Sequence, residues 1–125
     1  MSDTREFDIV IYGATGFTGQ LVVEYLVAQK GHGLNWAMAG RSADKLASVR
    51  DEVGADTATP LIVADAADPD SLRAMVGNAR CIISTVGPYQ LYGSDLVAAC
   101  AELGTDYVDL SGEPVWMHEM IAAHH

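Results

Sequence analysis

Three glycines stand three residues apart in IVIYGATGFTGQLVVEYL, residues 9–26. They follow an apolar run and open a helical apolar pattern. Each position has its own use in such a place. Gly13 permits a tight turn, Gly16 lets a ligand approach a backbone that carries no Cβ, and Gly19 lets the helix pack closely on the strand. The first-turn N–H groups then face open space with partial positive charge, which suits a pyrophosphate. Thr15 and Thr18 add hydroxyl donors beside them. A glycine triplet alone is a weak signal; following a strand and opening a helix inside a βαβ unit, it has the context that a dinucleotide-binding turn requires.

The second diagnostic position is the end of the second strand. Domains that bind NAD carry an Asp or Glu there to hold the ribose hydroxyls. This chain reads Ala39-Gly40-Arg41-Ser42-Ala43-Asp44-Lys45, with a guanidinium where the carboxylate would be. A carboxylate would repel a 2′-phosphate, whereas a guanidinium forks onto it. Ser42 and the start of the following helix supply further donors, and Lys45 lies one turn on. Only seven cations occur in the chain, and two of them fall within the five residues 41–45. The pattern therefore selects NADP over NAD.

Three further loops end at the same edge. After the third strand, Asp65 and Ala66 are placed to touch the adenine. Asp65 has the chemistry to accept from the exocyclic amine, while Asp68 or Asp70 has the chemistry to cap the next helix, and both readings stand. After the fourth strand, Val86-Gly87-Pro88-Tyr89 passes near the ribose and nicotinamide, with Gly87 leaving the backbone bare. Tyr89 and Tyr92 either lean on the cofactor or cover the sheet edge. The fifth strand ends in Tyr107-Val108-Asp109-Leu110-Ser111-Gly112-Glu113, which reads equally as a substrate-side polar cluster or as the cap of the last helix.

The remaining composition excludes several chemistries. The tyrosine–lysine acid–base pair of short-chain dehydrogenases is absent: the residues four after Tyr12, Tyr25, Tyr89, Tyr92 and Tyr107 are Gly16, Gln29, Gly93, Leu96 and Ser111. His32, His118, His124 and His125 form no HExxH pattern, so no metal site is expected. With 17 Asp and Glu against 7 Lys and Arg, the formal charge of −10 argues against nucleic acid and anionic membranes as partners. Cys81 and Cys100 have no metal-ligand spacing and read as reduced structural thiols, which implies a cytoplasmic setting. The N-terminus MSDTREFD has no apolar signal region, and no apolar run is long enough to cross a bilayer.

The elements that must position these residues alternate strand and helix. Short runs rich in Val, Ile and aromatics predict strands at 8–12, 35–39, 60–64, 81–86 and 106–110. Helices are predicted at 17–30, 43–53, 70–77, 93–103 and 114–124, the second capped by Ser42 and the fifth opened by Pro114. The first helix is expected to place Leu21, Val22, Tyr25 and Leu26 on one face. Strands of nearly continuous hydrophobicity are covered on both faces, and right-handed crossovers make them a doubly wound α/β parallel sheet of order 3-2-1-4-5. A single domain spans residues 1–125.

Together, GATGFTGQLVVEYL, AMAGRSADKL and STVGPYQLYGSDLVAACAELGTDYVDLSGE resemble the NADP-binding domain of the saccharopine dehydrogenase-like oxidoreductases, a family that includes the trans-acting enoyl reductases of lipid biosynthesis. The likeness covers nearly the whole chain. It implies that Gly13, Thr15, Gly16, Phe17, Thr18 and Gly19 hold the diphosphate, that Arg41 and Ser42 take the 2′-phosphate, and that Val86, Gly87, Pro88 and Tyr89 flank the nicotinamide ribose. It further implies an NADP(H)-dependent hydride transfer to a small-molecule substrate held by a second domain outside these residues. One departure is that Ala14-Thr15 makes the turn GxxGxxG, where the saccharopine reductases themselves resemble GxGxxG; this points away from saccharopine as substrate. An alternative from another class is a non-catalytic dinucleotide sensor with the same turn. An apolar edge beside the fifth strand, where a further element would pack, favours a homo-oligomer.

Overall fold

The computed structural model describes residues 5–28, 33–86, 93–109 and 114–124, with the side chains of residues 114–116 and 118–119 left aside. Among the described residues five strands alternate with five helices: β1 Phe7–Tyr12, α1 Phe17–Ala28, β2 Trp36–Gly40, α2 Ala43–Glu52, β3 Leu61–Val63, α3 Pro69–Gly77, β4 Ala79–Ser84, α4 Ser94–Leu103, β5 Asp106–Asp109 and α5 Pro114–His124. The strands form one parallel sheet of order β3-β2-β1-β4-β5, as the unbroken apolar runs predict.

Alternation along the central strand builds both cores. Val10 and Tyr12 point to one face and join Leu72, Met75, Ile82 and Leu96. Ile11 points to the other and joins Val23, Leu26, Met38, Leu46 and Val49. The helices begin where their sequences offer caps. Ser42 Oγ accepts from the Lys45 N–H at 3.3 Å, and Asp68 accepts from the Ser71 N–H at 3.4 Å with Pro69 following it. The carboxylate of Asp68 is thus a helix cap.

The first helix departs from the expected facing. Its buried residues are Gly19, Val23 and Leu26, while Leu21 is 49% and Tyr25 64% exposed. The predicted face mixed the two sides because α1 is apolar nearly all round, which leaves periodicity little to report.

Arg5 is a device with no local signature in the sequence. Its guanidinium donates to Ala79 O at 2.7 Å, to Thr105 Oγ1 at 2.6 Å and to Leu103 O. It thereby ties the entry to β1 to the start of β4 and to the last carbonyls of α4, where positive charge is favoured. Replacing Arg5 with methionine keeps the aliphatic stem but removes these bonds, leaving Ala79 O with only the 3.2 Å bond from Thr105 Oγ1. The expected cost is about 2–3 kcal/mol, from the usual worth of hydrogen bonds to charged groups. Urea denaturation measures it: a lower midpoint at unchanged slope is the expected result.

Candidate functional site

The sheet register brings the carboxyl ends of β1, β2, β3 and β4 level. Tyr12 pairs with Ala39 on one side and Ser84 on the other, and Gly40 pairs with Val63. Gly13, Arg41, Asp65 and Thr85 therefore leave the sheet along one edge.

The turn after β1 is held from three directions. The N–H groups of Gly13 and Ala14 both donate to Ala39 O, at 2.9 and 3.1 Å, which fastens the turn to β2. Thr85 fastens it to β4: its N–H donates to Tyr12 O at 3.0 Å, and its hydroxyl reaches Tyr12 O and Gly13 O, each at 3.1 Å. Gln20 Nε2, from α1, donates to Thr15 O at 2.9 Å. The bracing role of Thr85 escapes sequence reasoning, because it depends on which strand lies beside β1.

The three glycines differ in what demands them. Gly13 has φ +89°, and a Cβ on it would lie 2.7 Å from Thr85 Oγ1 and 2.8 Å from Val86 Cγ2. A Cβ on Gly19 would lie 2.0 Å from Gly13 O and 2.9 Å from Ala14 Cα, an impossible overlap with backbone. Gly16 is exposed, and a Cβ there would meet only Gly13 O, at an ordinary 3.5 Å. The protein's own packing requires glycine at 13 and 19 and leaves position 16 open.

Donors are divided just as unevenly. The Gly16 N–H is spent on Gly13 O at 3.1 Å, and Gly16 O accepts from the Gln20 N–H at 2.9 Å. Phe17, Thr18 and Gly19 thus precede the first intrahelical bond, and their N–H groups are the orphan donors of the first turn. Gly13 makes the tight turn and Gly16 contributes space, whereas the donors come from the residues after them.

The charge around this edge is also unequal. Arg5 is committed to carbonyls, Arg50 to Thr59 O at 3.1 Å, Arg73 to Glu102 at 2.6 Å, and Arg80 to Asp8 at 3.8 Å. Among the described residues, Arg41 and Lys45 are the two cations whose side chains make neither a hydrogen bond nor an ion pair with the protein. Both are exposed, on either side of the Ser42 cap. Ser42 Oγ, accepting from Lys45 N–H, keeps its own proton to donate.

Asp65 closes the edge on the β3 side. Its Oδ1 accepts from the Ala67 N–H at 2.9 Å, which shapes the turn containing Ala66. Tyr12 ends β1, level with Ala39 of β2 and Ser84 of β4. It is 2% exposed, and burial pushes its phenol up to about 12, with Asp65 adding to the shift and Arg41 opposing it. The phenol is therefore neutral throughout the working pH range.

On the β4 side, Val86 is half-buried against the glycine turn; Gly87, Pro88, Tyr89 and Tyr92 lie outside the described residues. At β5, the Tyr107 hydroxyl donates to Asp109 Oδ2 at 2.5 Å, and the pair lines an open cavity of about 290 Å³ with Val97, Met117, Met120, Ile121 and His124. Ser111, Gly112 and Glu113 lie outside the described residues. Among the described residues no group of His, Cys, Asp and Glu is arranged to hold a metal, and no helix is long and apolar enough to cross a membrane. Cys81 and Cys100 are free thiols, and burial pushes both upward, Cys100 to about 12.

A glycine whose missing Cβ opens outward, orphan amides of a helix start, and unspent cations one strand away fit a phosphorylated dinucleotide. At the carboxyl edge of a 3-2-1-4-5 parallel sheet they define a nucleotide-binding Rossmann domain. Residues 9–125 match the model of the saccharopine dehydrogenase NADP binding domain, and the chain belongs to that family, whose cofactor is NADP. It is 51% identical over 98% of its length to the trans-acting enoyl reductase of Mycobacterium leprae, and 51% identical over 97% to that of Mycobacterium tuberculosis. The chain spans 29% of the length of each.

Solved structures agree on the fold. Apo saccharopine dehydrogenase (L-Glu forming) from Saccharomyces cerevisiae superposes with a TM-score of 0.74 at 20% identity, covering 91% of this chain and 24% of that one. The triphenylmethane reductase of Citrobacter sp. complexed with NADP(H) gives 0.73 at 18% identity, covering 94% and 46%.

Proposed function

We propose that this chain is the cofactor-holding part of a larger, cytoplasmic NADP-dependent reductase, and that its residues divide the cofactor among the strand ends. The orphan amides of Phe17, Thr18 and Gly19, with the hydroxyls of Thr15 and Thr18, hold the diphosphate over Gly16. Arg41, Ser42 and Lys45 take the 2′-phosphate. Asp65 and Ala66 border the adenine, and Val86 to Tyr89 flank the nicotinamide ribose. The single observation that carries this reading is the contrast among the glycines: a Cβ at 13 or 19 would collide with the protein, whereas one at 16 would meet only Gly13 O at an ordinary 3.5 Å.

The bound cofactor supplies the hydride. The chain's part is to fix the cofactor's orientation through its phosphates, so that binding energy gained far from the reacting carbon becomes positional order there. The substrate class is a polarised double bond: a carbonyl, an imine or an enoyl carbon. The enoyl case is favoured by the names of the 51%-identical relatives. A proton must also reach the substrate, and the Tyr107–Asp109 pair at the β5 edge or the remainder of the enzyme supplies it.

Substituting Arg41 with alanine tests the cofactor assignment. Loss of a charge-assisted contact to the 2′-phosphate is expected to weaken NADPH binding by about 1–3 kcal/mol, roughly 5- to 150-fold. NADH binding should hardly change. Calorimetric titration of both nucleotides measures the difference; an equal loss for the two would remove Arg41 from the phosphate site. The chain alone is expected to bind NADPH without accelerating its oxidation when enoyl or carbonyl substrates are added, as followed by absorbance.

A further inference from the structure

We propose that the outer face of α1 is a docking surface for a segment of the longer polypeptide, one lying beyond the 125 residues of this chain. The inference rests on the reading of the chain as part of a larger enzyme.

Phe17, Leu21 and Tyr25 recur every fourth residue on α1, so they form one line along the helix, spanning about 12 Å at 1.5 Å per residue. They are 82%, 49% and 64% exposed. Single exposed apolar residues are ordinary, but three large ones in register are a patch. The opposite side of α1 is already buried through Gly19, Val23 and Leu26. A helix apolar on both sides is one that is covered on both sides.

The occupant follows from charge, area and length. Self-pairing of two copies about Leu21 would set Phe17 against Tyr25 of the second copy. Each copy also carries −10, and α1 offers no Lys or Arg to offset its exposed Glu24 or the charge of a second chain. Three side chains also cover far less than the roughly 800 Å² per partner of a stable free association. A tethered segment needs less, because its effective concentration is set by the chain that joins it. The 51%-identical relatives carry such chain, since this one spans 29% of their length. The segment's expected chemistry is an apolar face flanked by a Lys or Arg opposite Glu24.

The test compares Leu21→Gln with Tyr25→Gln, combined, in two settings. One is this chain alone; the other is this chain exchanged for the matched region of the Mycobacterium leprae enzyme. The pair should leave the thermal midpoint and NADPH titration of the isolated chain unchanged. In the full-length hybrid it should lower the midpoint by about 5 °C or more, by the usual scaling of lost packing, and speed limited proteolysis about tenfold. Should the hybrid not fold, the same pair at the aligned positions of the unmodified M. leprae enzyme gives the same readout. A hybrid as indifferent as the isolated chain overturns the proposal. So does an isolated chain that light scattering shows as a dimer dissociated by the pair, because the occupant is then a second copy. Failure of the unsubstituted chain to bind NADPH would instead strike at the nucleotide reading and leave the docking result to be judged separately.

Discussion

Gly16→Asp is expected to leave the fold intact and to abolish NADPH binding. Gly16 starts α1, its carbonyl accepting the first intrahelical bond from Gln20 N–H at 2.9 Å. Aspartate ranks among the best residues at a helix start, where its carboxylate accepts from first-turn amides and favours the positive end of the dipole. The backbone at 16 carries no positive φ, and the side chain has open space. The same carboxylate would consume the amides meant for the diphosphate and set a negative charge against it. The loss should exceed about 3 kcal/mol, more than a hundredfold in dissociation constant, given several charge-assisted contacts removed at once. Circular dichroism should show an unchanged or raised thermal midpoint, while fluorescence titration of NADPH shows no saturation. Gly16→Ala, adding only a Cβ, should fall between. A Gly16→Asp protein that still binds NADPH with native affinity would show that the diphosphate lies elsewhere.

Gly19→Ala is the opposite case, a change of one methyl group with no ligand involved. Its Cβ would overlap Gly13 O at 2.0 Å and Gly13 C at 2.8 Å. Neither atom is free to retreat, because the turn is fastened to β2 through Ala39 and to β4 through Thr85. Either α1 moves off the sheet, losing the packing of Val23 and Leu26, or the turn breaks its bonds. The expected destabilisation is about 4 kcal/mol or more, a large share of the total stability of a domain this size. Gly77→Ala is the matched control. It also lies in a helix, α3, but a Cβ there meets nothing within 4 Å, so alanine should stabilise by about 0.5–1 kcal/mol. Denaturation midpoints that move the same way in both variants would contradict the packing described for α1.

The sheet was legible because its signal is local and repeated. Runs such as DIVIY and CIIST are apolar without alternation, which only a sheet covered on both faces tolerates, and the handedness of crossovers then leaves one natural order. Helix starts at Ser42 and near Pro114 were legible for the same reason, since capping chemistry lies within three residues of its effect. Asp68 and Asp65 illustrate the limit. Both are acidic residues in one short loop, and only the coordinates separate the helix cap from the residue that shapes the turn beside Arg41. Arg5 and Thr85 were not legible at all. Each acts on backbone carbonyls more than seventy residues away, so its role exists only once the strands are side by side. The facing of α1 failed because a helix apolar on two sides carries two overlapping periodicities. In the glycine turn the residue types were legible, but their division of labour was not: spacing cannot tell a glycine required by packing from one left bare for a ligand.

Calorimetric titration of this chain with NADPH and NADH, side by side at one ionic strength, tests the central claim most directly. The account predicts saturable binding of one nucleotide per chain, with NADPH tighter by about tenfold or more for the charge-assisted hold on its 2′-phosphate. Equal affinities, a tighter NADH, or no heat from either nucleotide would contradict it.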